Sequence, residues 1–566
     1  MRTQKRRDFA VKILFCAVNS KYIHSSLAPW YLSAAVENAN NDFTSDVLEA
    51  TINEDLNTVF EKLKLRDFDV IGFSTYIWNK NYVLKLAEKI KKERNVSVIL
   101  GGPEVSYNAE EILKNYPCVD YVVSGEGEEA FFALAKGKRP EKISGFSYRK
   151  NGKIIVGEPC ILENDPPFPY TKKYFDSLNG RITYLETSRG CPFHCAFCLS
   201  GRLGGVRFFD LEESKRKILL LANSGTQTVK FIDRTFNADR KRAREIFKFI
   251  IDNYGKNIPT SVCFHFEIEG ELIDEKTIDI LRQAPSGLFQ FEIGLQSFNE
   301  KTLLYINRKT NLEKLTEVIK NLVALGNIHI HIDLIAGMSY ETKESFIKGF
   351  NKAIELRPHM LQLGFLKLLY GADMRENVEK YQFKYSSEAP YEVLSTEWIT
   401  SRELSDIHMV EEVLEKLYNS GRFPNTCEYI FSKTDNVFKT LYELGIYCQE
   451  RKTENTLDAF TTSIFEHFSK EGSFDKNVLR DKLAIDRLST NKMGTLPELL
   501  KVKSPMIKST LNDLEKEKST RREKGVKRAA TILLSEPKFV YVDYKNLDKI
   551  KKSYKINELT IKIEEI

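Results

Sequence analysis

The feature that most constrains this chain is the alternation of strand-like and helix-like segments from residue 11 to residue 123. Residues 11–18 (VKILFCAV) are continuously apolar, as expected of a strand buried on both faces of a parallel sheet. A helical stretch at 27–38 follows, then strands at 45–50, 70–74, 96–100 and 121–123, with helices at 55–65, 82–93 and 109–115 between them. Such a run builds a doubly wound α/β domain whose ligand site lies at the carboxyl ends of its strands. Those ends carry residues 19–29 (NSKYIHSSLAP), Ser74-Thr75-Tyr76, Gly101-Gly102-Pro103 and residues 124–128, which include Gly125 and Glu126. Paired glycines after a strand let a backbone approach a bulky ligand closely. No Gly-x-Gly-x-x-Gly follows the first strand, which disfavours a nicotinamide fold. Each loop taken alone also reads as a plain turn.

At 566 residues the chain is too long for one ordinary core, and about 150 residues per domain gives three to four domains. Hydrophobic content of 42% with 29% charged residues is globular chemistry, not that of a disordered chain. Lys+Arg 85 against Asp+Glu 79 leaves +6, too mild to call for a nucleic-acid partner. No apolar run approaches the ~18–20 residues of a membrane span. The basic start, residues 1–8, precedes a run better read as a buried strand than as a signal peptide. Nine cysteines without an export signal point to a reducing, cytoplasmic setting. Six of them, Cys16, Cys118, Cys160, Cys263, Cys427 and Cys448, are scattered and read as small buried apolar residues.

The order of the first-third loops resembles the cobalamin-binding Rossmann domain, with its pattern Asp-x-His-x-x-Gly, Ser-x-Leu, Gly-Gly. Ser74-x-Tyr76 and Gly101-Gly102 fit the second and third elements. Of the first only His24 is kept, in Tyr22-Ile23-His24-Ser25-Ser26-Leu27. The carboxylate that would orient an axial imidazole is missing. His24 is therefore expected beside the corrin or in a local hydrogen bond rather than on cobalt. The resemblance is nearer to the cobalamin domains fused to radical enzymes.

Residues 141–180 contain Pro166-Pro167-Phe168-Pro169 and read as a linker. After a strand at 182–186 comes SRGCPFHCAFCLS, in which Cys191, Cys195 and Cys198 are spaced Cys-x-x-x-Cys-x-x-Cys. Three thiolates from one loop can hold a [4Fe-4S] cluster and leave one iron without a protein ligand. Structural zinc wants four ligands and only His194 is nearby. A ferredoxin-type site wants a fourth cysteine at suitable spacing, and a packed triplet of free thiols invites oxidation. With Phe197 before the last cysteine, the segment resembles the radical S-adenosylmethionine (SAM) superfamily, in which the open iron chelates SAM.

Strand-like runs then recur at 229–232, 261–268, 289–295, 329–335 and 360–366, separated by helices. They match the partial (βα)6, TIM-like barrel of that superfamily, with its chemistry at the strand carboxyl ends. The second strand ends IDRTFN where many relatives carry Gly-Gly-Glu for the SAM amine. Asp233 and Thr235 are the substitutes. Strand three offers His265 and Glu267. Strand four offers Glu292 and then Gln296 and Ser297, at the position that reaches the SAM ribose. Arg308 is placed to reach the carboxylate, and Gly337 at the end of strand five to admit adenine. His329 and His331 share one face of strand five, where packing is expected before a metal pair.

From residue 375 the alternation stops and helical patterns dominate, at 397–418, 436–446 and 456–469. This tail resembles the helical extension of one subgroup of cobalamin-binding radical SAM proteins whose function is uncharacterised. Its basic run at 516–528 fits a solvated helix face or loop, with a polyanionic substrate as the alternative. An aromatic-rich strand pair, 538–544 with 558–563, is expected to close the chain. The expected fold class is α/β, with domains at 1–140 (cobalamin-binding, Rossmann-like), 141–180 (linker), 181–375 (radical SAM barrel) and 376–566 (mainly helical).

The resemblance implies three cofactors: a [4Fe-4S] cluster, SAM and cobalamin. It implies a methyltransferase acting on an unactivated carbon, with SAM both methyl donor to cobalt and source of a 5′-deoxyadenosyl radical. The alternatives are cyclisation, rearrangement or oxidation without methyl transfer, and, outside the enzymes, a cofactor-sensing protein. Expected partners are a small-molecule or peptide substrate and an external electron donor such as flavodoxin or ferredoxin.

Overall fold

The computed structural model describes residues 11–39, 42–202, 204–492, 495–517, 528–545 and 547–559. The basic start at 1–8, and residues 518–527 of the basic run, lie outside these. The chain forms two compact units, one of Met1–Gln283, Tyr305–Arg308 and Leu366–Leu394, the other of Ala284–Leu304, Lys309–Phe365 and Ser395–Ile566.

The first unit begins with a seven-stranded sheet. Strands β1 (Val11–Asn19), β2 (Phe43–Thr51), β3 (Val70–Ser74), β4 (Ser97–Gly101) and β5 (Tyr121–Val123) run parallel in the order β2-β1-β3-β4-β5. Helices Ala28–Asn38, Leu56–Lys64, Lys80–Glu93 and Ala109–Asn115 make the connections. Residues 13–18 of β1 are at most 2% exposed. Their side chains divide between two apolar layers, Leu14, Cys16 and Val18 in one and Ile13 and Phe15 in the other, as the two-residue strand period dictates. Strand order reverses between β1 and β3, which opens a crevice at their carboxyl ends.

The segment read as a linker holds more than a linker. Strands β6 (Phe146–Lys150) and β7 (Lys153–Ile155) add antiparallel to β5. Asn151 and Gly152 between them take φ of 50° and 76°, the left-handed pair that a two-residue hairpin requires. Helix Lys172–Leu178 follows. Next come β8 (Thr183–Leu185), the antiparallel pair β9 (Ser188–Gly190) and β10 (Val206–Phe208), then β11 (Thr228–Phe231) and β12 (Cys263–Ile268). Strand β11 pairs in parallel with both β8 and β12.

In the second unit β13 (Phe289–Gln296), β14 (Ile328–Ala336) and β15 (Met360–Phe365) pair in parallel, connected by helices that include Leu312–Leu325 and Lys343–Glu355. Helices Ser401–Leu414, Pro424–Phe431, Val437–Glu450, Leu457–Phe468, Lys476–Thr490 and Pro505–Glu517 follow. The chain closes on three antiparallel strands, β16 (Ala529–Leu533), β17 (Lys538–Val542) and β18 (Asn557–Leu559), with β17 in the middle. The expected pair is 538–544 with 558–563, of which 560–563 lie outside the described residues; β16 is an additional partner that begins where the basic run ends. Among the described residues no helix is long and apolar enough to cross a membrane.

Candidate functional site

A cavity of about 550 Å3 lies at the carboxyl ends of β1, β3, β4 and β5, within the ~300–1,000 Å3 range of ligand pockets. The parallel register sets Ser74 beside Gly101 and Gly101 beside Val123, so three strand ends meet in one row. His24, Ser74, Tyr76, Gly101, Gly102, Gly125 and Glu126 line the cavity. Thr75 and Pro103 do not. Thr75 is fully buried and its N–H donates to the Gly101 carbonyl at 2.7 Å, while Pro103 opens the short helix Pro103–Ser106. Gly102 has φ of +107°, and a Cβ there would meet the Thr75 carbonyl oxygen at 2.5 Å. Its glycine is demanded by that loop crossing as well as by the cavity.

Asn79 fixes the crevice. Its amide donates to the carbonyls of Val18 and Ser74, at 2.9 and 3.0 Å, and its Oδ1 accepts from the Tyr76 N–H. The Tyr76 ring stacks on Trp78 at 4.5 Å and 4°. Trp78 lines the same cavity and is 46% exposed, an aromatic face that sequence reasoning passed over. His24 places Nδ1 2.7 Å from the hydroxyl of Tyr184, a partner 160 residues further along the chain. Burial, with Lys21 and Lys230 adding, holds its pKa below the usual imidazole range.

The far wall of the cavity comes from the segment leading into the cysteines. Glu186 and Arg189 face into it with Glu126, Glu128 and Tyr31. Arg189 donates to Glu186 at 2.9 and 3.0 Å and to Glu128 at 2.6 Å, and lies 3.7 Å from Glu126. Glu126 also accepts from the Leu162 N–H and pairs with Arg207, so it braces the wall as well as lining it. The Tyr31 hydroxyl is buried with no hydrogen-bond partner among the described residues.

Within the cysteine loop each sulfur has a polar neighbour. Thr235 Oγ1 is 3.2 Å from Cys191 Sγ, Arg308 Nη1 is 3.8 Å from Cys195 Sγ, and the Ser200 N–H is 3.4 Å from Cys198 Sγ. Burial pushes the Cys195 thiol up, and Arg308 pulls it back down. The loop is braced by Ala196 N–H to the Ile306 carbonyl at 2.9 Å, Met374 N–H to the Ala196 carbonyl at 3.0 Å, and Asn307 to the His194 carbonyl at 2.9 Å. Phe197 beside it is half-buried. Among the described residues no three His, Cys, Asp or Glu side chains gather as for a single metal ion. A cubane does not require that, since each thiolate binds a different iron.

Asp233 is placed otherwise than as an amine ligand. Its oxygens accept from the Thr187 N–H at 3.0 Å and from the Thr187 and Ser188 hydroxyls, each at 2.6 Å. It pins the turn between β8 and β9, and burial raises its pKa. Glu267 lies 3.8 Å from both Lys230 and Arg234. Arg308 pairs with Glu269, just past the end of β12, at 2.9 Å, a residue missed in the sequence.

In the second unit Gln296 sits at a register shift of β13 with φ of +70°, its Oε1 buried without a partner among the described residues. The Ser297 hydroxyl donates to Glu341, Glu292 is half-buried on β13, and Gly337 follows β14 with φ of +86°. The His329 ring packs 4.8 Å from His331 and 4.9 Å from His359.

Comparison with known proteins follows this division. The B12 binding domain family matches residues 13–135, the radical SAM superfamily residues 185–352, and a family described as a protein of unknown function (DUF4080) residues 379–562. The chain is 28% identical to an uncharacterised methyltransferase of Pyrococcus horikoshii, over 50% of this chain and 63% of that protein. It is 29% identical to the cobalamin-dependent radical SAM methyltransferase TokK of Streptomyces tokunonensis, over 55% of this chain and 49% of TokK. The chain thus spans about half to two thirds of the length of these relatives. The solved structure of the cobalamin-dependent SAM radical enzyme OxsB, with aqua-cobalamin and SAM bound, has the same fold, with a TM-score of 0.60 at 13% identity over 90% of this chain and 81% of OxsB. The chain thus carries a B12-binding domain followed by a radical SAM domain, the pairing found in the cobalamin-binding radical SAM enzymes it resembles.

Proposed function

We propose that the chain is a cobalamin-dependent radical SAM methyltransferase that acts on an unactivated carbon of a small-molecule or peptide substrate. The observation that carries this is the shared wall. The cavity at the ends of β1–β5 is closed by Glu186 and Arg189, and Arg189 lies two residues before Cys191. A corrin in that cavity and a cluster on the loop would therefore be neighbours. The cavity fits a corrin in position and in chemistry: glycine strand ends on one side, the Tyr76–Trp78 stack at its edge, and an unpartnered Tyr31 hydroxyl inside. Cys191, Cys195 and Cys198 would hold the cluster, each sulfur with its polar neighbour.

When bound, the cofactors supply a carbon-centred radical and a transferable methyl group. The chain's own residues do the rest. Asn79 and Gly102 fix the shape of the corrin crevice, Arg189 holds the crevice wall against the cysteine loop, and Asp233 holds the turn that aims this loop. An external one-electron donor is part of the reading.

The test is anaerobic reconstitution with iron, sulfide and cobalamin, followed by SAM and reductant. S-adenosylhomocysteine together with 5′-deoxyadenosine is expected. 5′-Deoxyadenosine alone would replace methyl transfer by cyclisation, rearrangement or oxidation. Failure to retain a corrinoid would remove the first-domain reading, and the absence of SAM cleavage would remove the radical one.

A further inference from the structure

The three cysteine sulfurs have unequal neighbours. Cys191 faces a hydroxyl and Cys198 a backbone N–H, but Cys195 faces the guanidinium of Arg308. Arginine stays charged at any ordinary pH, and this side chain is only 11% exposed, so water screens it weakly. Its other terminal nitrogen, Nη2, donates to Glu269 Oε2 at 2.9 Å, and the Glu269 side chain is 9% exposed. The second oxygen of Glu269 is buried with no partner among the described residues. A buried cation thus stands against one thiolate, and a buried anion stands behind it.

We propose that Arg308, held by Glu269, is a positioning residue that sets the reduction potential of the cluster carried by Cys191, Cys195 and Cys198. This rests on the cluster reading above and goes beyond it. Reduction adds one negative charge to the cluster. A cation that donates to a cluster sulfur stabilises the reduced state more than the oxidised one, and so raises the potential. Glu269 has two effects of opposite kind. It fixes the guanidinium in place, and its own negative charge partly cancels the field at the sulfur. Arg308→Gln should therefore lower the potential and Glu269→Gln should raise it. Arg308→Lys keeps the charge and loses the fork, so it should fall between the wild type and Arg308→Gln. A merely structural role would not give opposite signs for the two partners.

The experiment is a redox titration of the reconstituted full-length chain without SAM, followed by electron paramagnetic resonance of the reduced cluster, with iron and sulfide counted for each variant. Opposite shifts for Arg308→Gln and Glu269→Gln, with partial rescue by Arg308→Lys, support the proposal. Unchanged potentials in variants that hold a full cluster overturn it while leaving the cluster reading intact, as do shifts of the same sign. A wild-type chain that takes up no iron overturns the cluster reading and this proposal with it. Where Arg308→Gln fails to assemble a cluster, the sign of the Glu269→Gln shift decides.

Discussion

Arg189 donates to Glu128 across 2.6 Å, which ties the start of helix Gly127–Ala135 to the strand that runs into Cys191. The Arg189 side chain is 13% exposed and the Glu128 side chain 8%, and Glu186 completes the pairing. Burial raises the Glu186 pKa against the pull of Arg189. Removing one partner of such a group leaves uncompensated buried charge, at a cost of about 3–5 kcal/mol. Arg189→Met should be destabilised on that scale in urea unfolding of the full chain, and should bind corrinoid more weakly. Arg189→Lys should fall between, because an ammonium cannot serve two carboxylates as a fork does. An Arg189→Met chain as stable as the parent would show that the pairing is incidental.

Glu49 is a second hub. From β2 it accepts from Arg181 at 2.9 and 3.3 Å, Asn19 at 2.9 Å, the Ser26 N–H at 3.0 Å and Trp30 at 3.1 Å. Both members of the Glu49–Arg181 pair are under 10% exposed. Glu49→Ala strands a buried guanidinium and an indole N–H, so a loss of about 3–5 kcal/mol is expected. Glu49→Gln should lose less, because it can still accept. A thermal melt of the two variants checks the order; equal losses would mean that charge contributes nothing beyond shape.

The two hubs mark where the sequence was legible and where it was not. The parallel strands announce themselves, because residues 13–18 of β1 are all apolar and buried, as expected of a strand covered on both faces. The cysteine spacing is equally local. Arg189, Glu186 and Glu269 were illegible because their meaning is their partner. Arg189 meets Glu128 from 61 residues away, and no period or spacing encodes that. Asp233 shows the same limit: a carboxylate at a strand end looks like a ligand, yet here it is consumed by Thr187 and Ser188. The hairpin of β6 and β7 was readable in principle from Asn151-Gly152, but the proline cluster after it drew the segment toward a linker.

Glu341 gives the second unit a pH signature. Burial pushes its carboxyl from 4.5 to about 7, although Ser297 donates to it and pulls it back down. The folded state therefore keeps a proton that the unfolded chain releases. Its stabilising contribution is complete below pH 4.5 and is lost as pH rises through about 7, a change of about 3 kcal/mol. Glu341→Gln stays neutral throughout and should lack this component, and so gain on the parent between pH 5 and pH 8. Urea unfolding of both chains across that range reads the difference. Parallel stability curves would place the Glu341 titration in the ordinary carboxylate range.

Gly190 sits immediately before Cys191 with φ of +95°, and a Cβ on it would lie 2.2 Å from the Gly205 carbonyl oxygen. Both terms act against any side chain. The left-handed φ costs an L-residue about 1–3 kcal/mol when enforced, and the contact forces β9 and β10 apart where Gly190 pairs with Val206. This two-stranded ladder is what presents Cys191, so the strain falls on the loop rather than on the core. Gly190→Ala should keep its overall secondary structure while taking up less iron and sulfide on reconstitution. Gly204, also at positive φ but with open space around its Cβ position, is the matched control, and Gly204→Ala should take up the cluster nearly as the parent does. Full cluster incorporation by Gly190→Ala would show that the loop reaches its cluster-binding shape without this ladder.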